Sequence, residues 1–107
     1  MKIIRKLYTN LVMSDLFKQN TTFVRRKEVV FTYLDNEIML LHPETGKYYS
    51  FNKAGAYIWE LLSIPITFEE IIASLLIKFE IEKSKCESDT QNFIQSLLEK
   101  NMIEKIQ

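Results

Sequence analysis

Scarcity is the first thing this chain shows. Its one cysteine, Cys86, excludes an internal disulfide and a cysteine-based zinc site. So little use of thiols suits a reducing compartment, and a cytoplasmic location is expected. With two glycines it cannot build a phosphate-cradling loop. Two prolines alongside them leave little room for long irregular segments. The single histidine, His42, would need acidic or metal-ligating partners to act as a base or ligand. Its nearest acids are Glu37 and Glu44, so it reads as a turn residue at a strand end. No stretch approaches the ~20 apolar residues that cross a bilayer. An excess of one charge is also missing, with fourteen basic and fourteen acidic side chains. There is no internal repeat and no low-complexity run. Nothing here points to a reaction or a cofactor.

At 107 residues, with a hydrophobic fraction of 47% and a charged fraction of 26%, the chain has the makings of one soluble globular domain. Its charges are unevenly placed. Residues 1–31 carry Lys2, Arg5, Lys6, Lys18, Arg25, Arg26 and Lys27 against Asp15 and Glu28. Residues 32–70 carry six acids against Lys47 and Lys53. Such opposed regions either steer a charged partner or face each other.

The first residues lack the continuous apolar run of a signal peptide, and Asp15 and Lys18 interrupt the place for a cleavage site. Ile3, Ile4, Leu7, Leu11 and Val12 recur at helical spacing, so residues 1–22 are expected to form an N-terminal extension with a short helix. It would cover an edge of its own domain or of a second copy, or dock on a partner or membrane surface. The few basic residues beside it disfavour the membrane. Gln19 to Thr22 reads as a polar linker into a domain spanning 23–107.

Beyond it the period changes to two. Val29 to Leu34, Glu37 to His42 and Lys47 to Phe51 read as strands of a three-stranded antiparallel meander. Asp35-Asn36 supplies the first turn and Pro43-Glu44-Thr45-Gly46 the second, with Gly46 providing a positive φ. Asn52 is placed to cap a helix whose apolar stripe is Ala54, Tyr57, Ile58, Leu61 and Leu62, with Trp59 on its flank. Thr67 and Glu70 form a capping box for a second helix carrying Ile71, Ile72, Leu75, Leu76 and Phe79. Glu80 to Ser88 reads as a polar connection containing Cys86, with Ser84, Ser88 or Asp89 capping a third helix. That helix carries Phe93, Ile94, Leu97 and Leu98, and Asn101 serves as its left-handed terminus. Met102-Ile103 closes the core. The order βββααα predicts an α+β domain of winged helix-turn-helix type.

Winged helices often read DNA, and a winged-helix DNA-binding transcription regulator is the alternative this fold raises. The third helix, however, sets Asp89 and Glu99 against Lys100, where a reading helix concentrates Lys and Arg. Nucleic acid is not expected as a partner. Peptide capture explains more. The strand Lys47, Tyr48, Tyr49, Ser50 and Phe51 comes last in the meander and should be an edge. An unpaired edge must be covered or used, and an extended peptide satisfies it by strand addition. The same edge would also serve to pair with a second copy, as a homodimer.

The residues Glu44-Thr45-Gly46, Tyr48-Tyr49, Phe51-Asn52 and Gly55-Ala56-Tyr57-Ile58-Trp59-Glu60-Leu61 resemble the PqqD family of leader-peptide-recognition domains. The likeness continues through Thr67, Glu70 and Ile71 to Phe93-Ile94, Leu97-Leu98 and Met102-Ile103, covering about residues 28 to 104. One departure is Asn101, where the family usually has glycine. The resemblance implies a non-catalytic domain, a RiPP recognition element. It would hold a precursor's leader peptide as an added β-strand and present it to a peptide-modifying enzyme or leader peptidase. Carried onto this chain, the groove would lie between Lys47, Tyr48, Tyr49, Ser50 and Phe51 on one side and Asn92, Phe93, Ile94, Leu97 and Leu98 on the other. Leader anchors would then be read by pockets beside Phe93, Ile94 and Leu97.

Overall fold

The computed structural model describes residues 21–106. The N-terminal helix expected before them lies outside the described residues. Four strands come first, β1 (Thr22–Arg25), β2 (Val30–Leu34), β3 (Glu37–His42) and β4 (Lys47–Phe51). They are followed by helix α1 (Lys53–Leu61), a two-residue strand β5 (Ile66–Thr67), helices α2 (Phe68–Lys78) and α3 (Lys83–Glu99), and strand β6 (Ile103–Ile106). The architecture is α+β, with the expected meander, β2-β3-β4, and three helices.

Register in the meander follows from its two turns. Asp35 takes φ 59° and Gly46 φ 72°, which lets each hairpin close without slippage. Leu40 stands between Phe31 and Tyr49, and Ile38 between Tyr33 and Phe51. These side chains face the helices, and Ile38 and Leu40 are fully buried. On the opposite face Val30, Leu41 and Tyr48 form one cross-strand row, in which Val30 and Tyr48 are exposed.

Three departures from the expected pattern have physical causes. The first is a second sheet of order β5-β1-β6, flanked by the helices. Its strands span two, four and four residues, too few to show an alternation against the background. Thr22 is accordingly a strand residue rather than linker, donating its hydroxyl to the Ile106 carbonyl at 2.8 Å. The second concerns Trp59, which is wholly buried at the centre of the core instead of flanking a stripe. Phe31 meets it edge-on at a centroid distance of 5.9 Å, and the Arg25 guanidinium lies 5.6 Å from its ring centre. Arg25 also bonds the Trp59 carbonyl, tying the second sheet to α1. The third is α3, which starts at Lys83 with Glu82 as N-cap, two positions ahead of Ser84 and well ahead of Ser88 and Asp89, and with no side-chain cap bond. It therefore absorbs the segment read as a connection, and Cys86 becomes a buried helical residue. Helix–helix packing of Cys86, Thr90, Ile94 and Leu97 outweighs the weak start signal.

The other helix signals appear in the structure as expected. Asn52 Oδ1 accepts from the Gly55 backbone N–H at 3.0 Å. Thr67 Oγ1 accepts from the Glu70 N–H at 3.2 Å, and Glu70 Oε1 accepts from the Thr67 N–H at 3.0 Å. Asn101 takes φ 56° after α3. Core closure at Met102-Ile103 is as read, both being buried.

The capping box carries a prediction about pH. Hydrogen bonds from the Thr67 backbone, and secondarily from its hydroxyl, hold the Glu70 carboxyl below its ordinary value. A depressed folded-state value means that the box stabilises above the unfolded carboxyl's pKa and is lost as pH falls through the folded one. Denaturant unfolding should show wild type more stable than Glu70→Gln near neutrality. The gap should close in acid; one that is constant with pH would contradict this account.

Candidate functional site

One residue, Asn52, separates β4 from α1, so the chain turns back at the end of the meander's last strand. That leaves β4 at the margin of its sheet. It pairs with β3 on one side, and among the described residues no strand pairs with the other. The neighbouring element is α3, which shares a groove with the strand. Phe51 meets Phe93 at its floor, ring centroids 4.9 Å apart and nearly perpendicular. At the middle of β4, Lys100 Nζ lies 5.6 Å from the Tyr49 ring centre and donates to Ser96 Oγ at 2.6 Å.

Towards the end of β4 the groove opens into a cavity of about 380 Å³. Ser50, Phe51 and Asn52 line one side, Ala54, Gly55 and Ile58 another. Leu75, Ile81, Cys86 and Phe93 complete an apolar wall, while Asp89 and Thr90 contribute a carboxylate and a hydroxyl. Asp89 is exposed, whereas Thr90 is only 3% exposed and Cys86 2%. A mostly apolar hollow with few polar groups is the usual form of a side-chain-binding pocket.

The expected site residues divide sharply. On the strand, Lys47, Tyr48 and Ser50 are exposed, Tyr48 to 68%, while Tyr49 and Phe51 are half-buried and pack on the core. On the helix, Phe93 lines the cavity. Ile94 and Leu97 are core side chains with essentially no exposed surface, and neither lines the cavity. Asn92 is exposed and Leu98 half-buried, and neither lines the cavity. The helical face towards β4 instead runs through Cys86, Asp89, Thr90, Phe93 and Lys100. Sequence reasoning missed most of these because it read Glu80 to Ser88 as a connection and took the helix's face from Phe93 onward. Counting back from Phe93 by three, four and seven positions reaches Thr90, Asp89 and Cys86.

His42 and Cys86, the residue types most often used in catalysis, have structural surroundings here. His42 is buried with both ring nitrogens in hydrogen-bond contact with backbone. Cys86 is buried and free. Charge on α3 is mixed, Lys83 and Lys85 against Glu87, Asp89 and Glu99, which gives no basic face for phosphates. Among the described residues no group of histidine, cysteine and acidic side chains is placed to hold a metal. No described helix is long and apolar enough to cross a membrane.

Comparison with known proteins gives a consistent picture. The family described as coenzyme PQQ synthesis protein D (PqqD) matches residues 37–103. Curated protein sequences return no match. Among solved structures, TbiB1 in complex with the TbiA(beta) leader peptide is 30% identical, with a TM-score of 0.69 over 76% of this chain and 94% of that one. A lasso peptide synthetase B1 complexed with the leader peptide is 26% identical, with a TM-score of 0.67 over 77% and 96%. The PqqD truncation of Methylobacterium extorquens PqqCD, a stand-alone RiPP recognition element solved by NMR, shares the fold at 18% identity. Its TM-score is 0.66 over 82% and 94%.

Gly55 marks where α1 and β4 come closest. A Cβ there would stand 2.8 Å from Phe51 Cβ and 3.4 Å from Phe93 Cζ. Gly55→Ala should therefore destabilise by about 1–3 kcal/mol through overpacking, against a helix-propensity gain of about 1 kcal/mol. Urea unfolding tests this, and a variant more stable than wild type would refute it.

Proposed function

We propose, from the premise that this chain belongs to the PqqD family, that it is a recognition protein for the leader segment of a ribosomally made precursor peptide. The leader adds to β4 as a further antiparallel or parallel strand. The protein then presents the peptide to a modifying enzyme or leader peptidase and performs no chemistry itself.

The observation that carries this reading is the margin of β4. Its side chains are anchored inwards by Tyr49 and Phe51, yet its outer backbone row meets no strand among the described residues. An unpaired row of N–H and C=O groups at a sheet edge is a template for a further strand. Beside that row lies the apolar cavity, which can accept a side chain projecting from the added strand. Backbone pairing would supply affinity, and the cavity would supply selectivity. Support from other proteins is of the same kind: the TbiB1 and lasso synthetase B1 structures, which align over most of this chain, hold leader peptides. Lys47, Tyr48, Tyr49, Ser50 and Phe51 are retained as the strand side of the proposed site. On the helix side, Phe93 is retained and joined by Asp89 and Thr90.

Strand addition has a signature that a side-chain pocket alone does not produce. Along an antiparallel strand, backbone N–H groups point alternately to its two neighbours. Amide hydrogen exchange by NMR should be slowed by the leader at alternate β4 residues, those whose N–H faces away from β3. The leader to use is that of any short precursor peptide found encoded beside this chain's gene. Uniform protection along β4, or none at saturating peptide, would count against strand addition.

A further inference from the structure

His42 is 2% exposed, and its two ring nitrogens make different contacts. The backbone N–H of Glu44 donates to Nδ1 at 3.3 Å, within the turn that follows β3. An Nδ1 that accepts is unprotonated, so the neutral ring carries its proton on Nε2. Nε2 lies 3.1 Å from the backbone carbonyl of Asn101, 59 residues away in sequence, and donates to it. Asn101 is the left-handed residue that ends the α3 region. One side chain thus ties the β3–β4 hairpin to the C-terminal end of α3.

Those are the two walls of the groove. The tie sits at the end where β4 begins, next to the contact of Lys100 with Tyr49. From there β4 and α3 run towards Phe51 and Phe93, and beyond them the walls enclose the cavity. The His42 tie and the cavity thus lie towards opposite ends of β4. Ring contacts such as Phe51 on Phe93 are broad and tolerate sliding, whereas a buried hydrogen bond fixes distance and direction.

We infer that His42 is a positioning residue, setting the spacing between β4 and α3 and hence the width of the groove. Its relevance to leader binding rests on the function proposed above, but the tie itself is measurable in the protein alone. A failure of strand addition would appear only in the leader titration. A failure of the tie appears without any peptide.

Two substitutions separate the ring's two contacts. In His42→Gln the side-chain nitrogen reaches the place of Nε2 and can still donate to Asn101. In His42→Asn the side-chain oxygen reaches the place of Nδ1, keeping the Glu44 contact and losing the long one. Amide exchange at Asn101 and Met102 should be about fivefold faster in His42→Asn, the fold-change that one net hydrogen bond is worth, and near wild type in His42→Gln. The Tyr49–Lys100 nuclear Overhauser contact should weaken in the first and persist in the second. Equal behaviour of the two variants, or an unchanged Tyr49–Lys100 contact in His42→Asn, would overturn the inference. A wild-type measurement covers the case in which a variant does not fold. The long-range nitrogen–proton spectrum of the ring should show the proton on Nε2, and a proton on Nδ1 would overturn the inference equally.

Discussion

The passage from strand to helix at Asn52 constrains almost everything else in this molecule. With a single residue between β4 and α1, the chain cannot continue the meander, and the helix must fold back over the sheet. Asn52 makes this reversal possible by satisfying the Gly55 N–H. Gly55 allows the close approach, because a larger residue would meet Phe51. The outer margin of β4 is a direct consequence: the strand is last in its sheet because its own sequence ends the sheet.

That margin joins stability to recognition. A strand held through its inward side chains can present unpaired backbone without fraying, and Phe51 is held in this way by Phe93 and the start of α1. Burial of Trp59, carried by α1, against Phe31 of β2 stiffens the layer behind it, since truncating such a side chain typically costs about 3–5 kcal/mol. The second sheet extends the support. Strand β1 bridges β5 and β6, and backbone bonds from Arg25 to Leu62 and from Arg26 to Met102 clamp it to the ends of α1 and α3. A rigid support of this kind lowers the ordering cost of capturing a flexible peptide.

The groove also separates two tasks by position. The end near the start of β4 is polar and directional, with His42 bonded to Asn101 and Lys100 to Ser96. The end at the cavity is apolar, apart from Thr90 and Asp89. Hydrogen bonds with fixed geometry suit the setting of a spacing, and apolar hollows suit side chains of varied shape.

The meander and its two turns were legible in the amino-acid order, because period-two patterning and residues suited to positive φ are local signals. The helix starts at Asn52 and Thr67 and the left-handed Asn101 were legible for the same reason. Strands β1, β5 and β6 were not, since each is short and stable only when paired with distant residues. The early start of α3 and the burial of Cys86 were hidden too, because packing against α2 overrode a polar local composition. Trp59 looked peripheral on a helical wheel and became central only once Phe31 and Arg25 arrived from other strands. For the groove, the sequence named the strand and Phe93. Which other residues of α3 face that strand was decided by the helix's rotation about its axis, which the whole core fixes and no local pattern encodes.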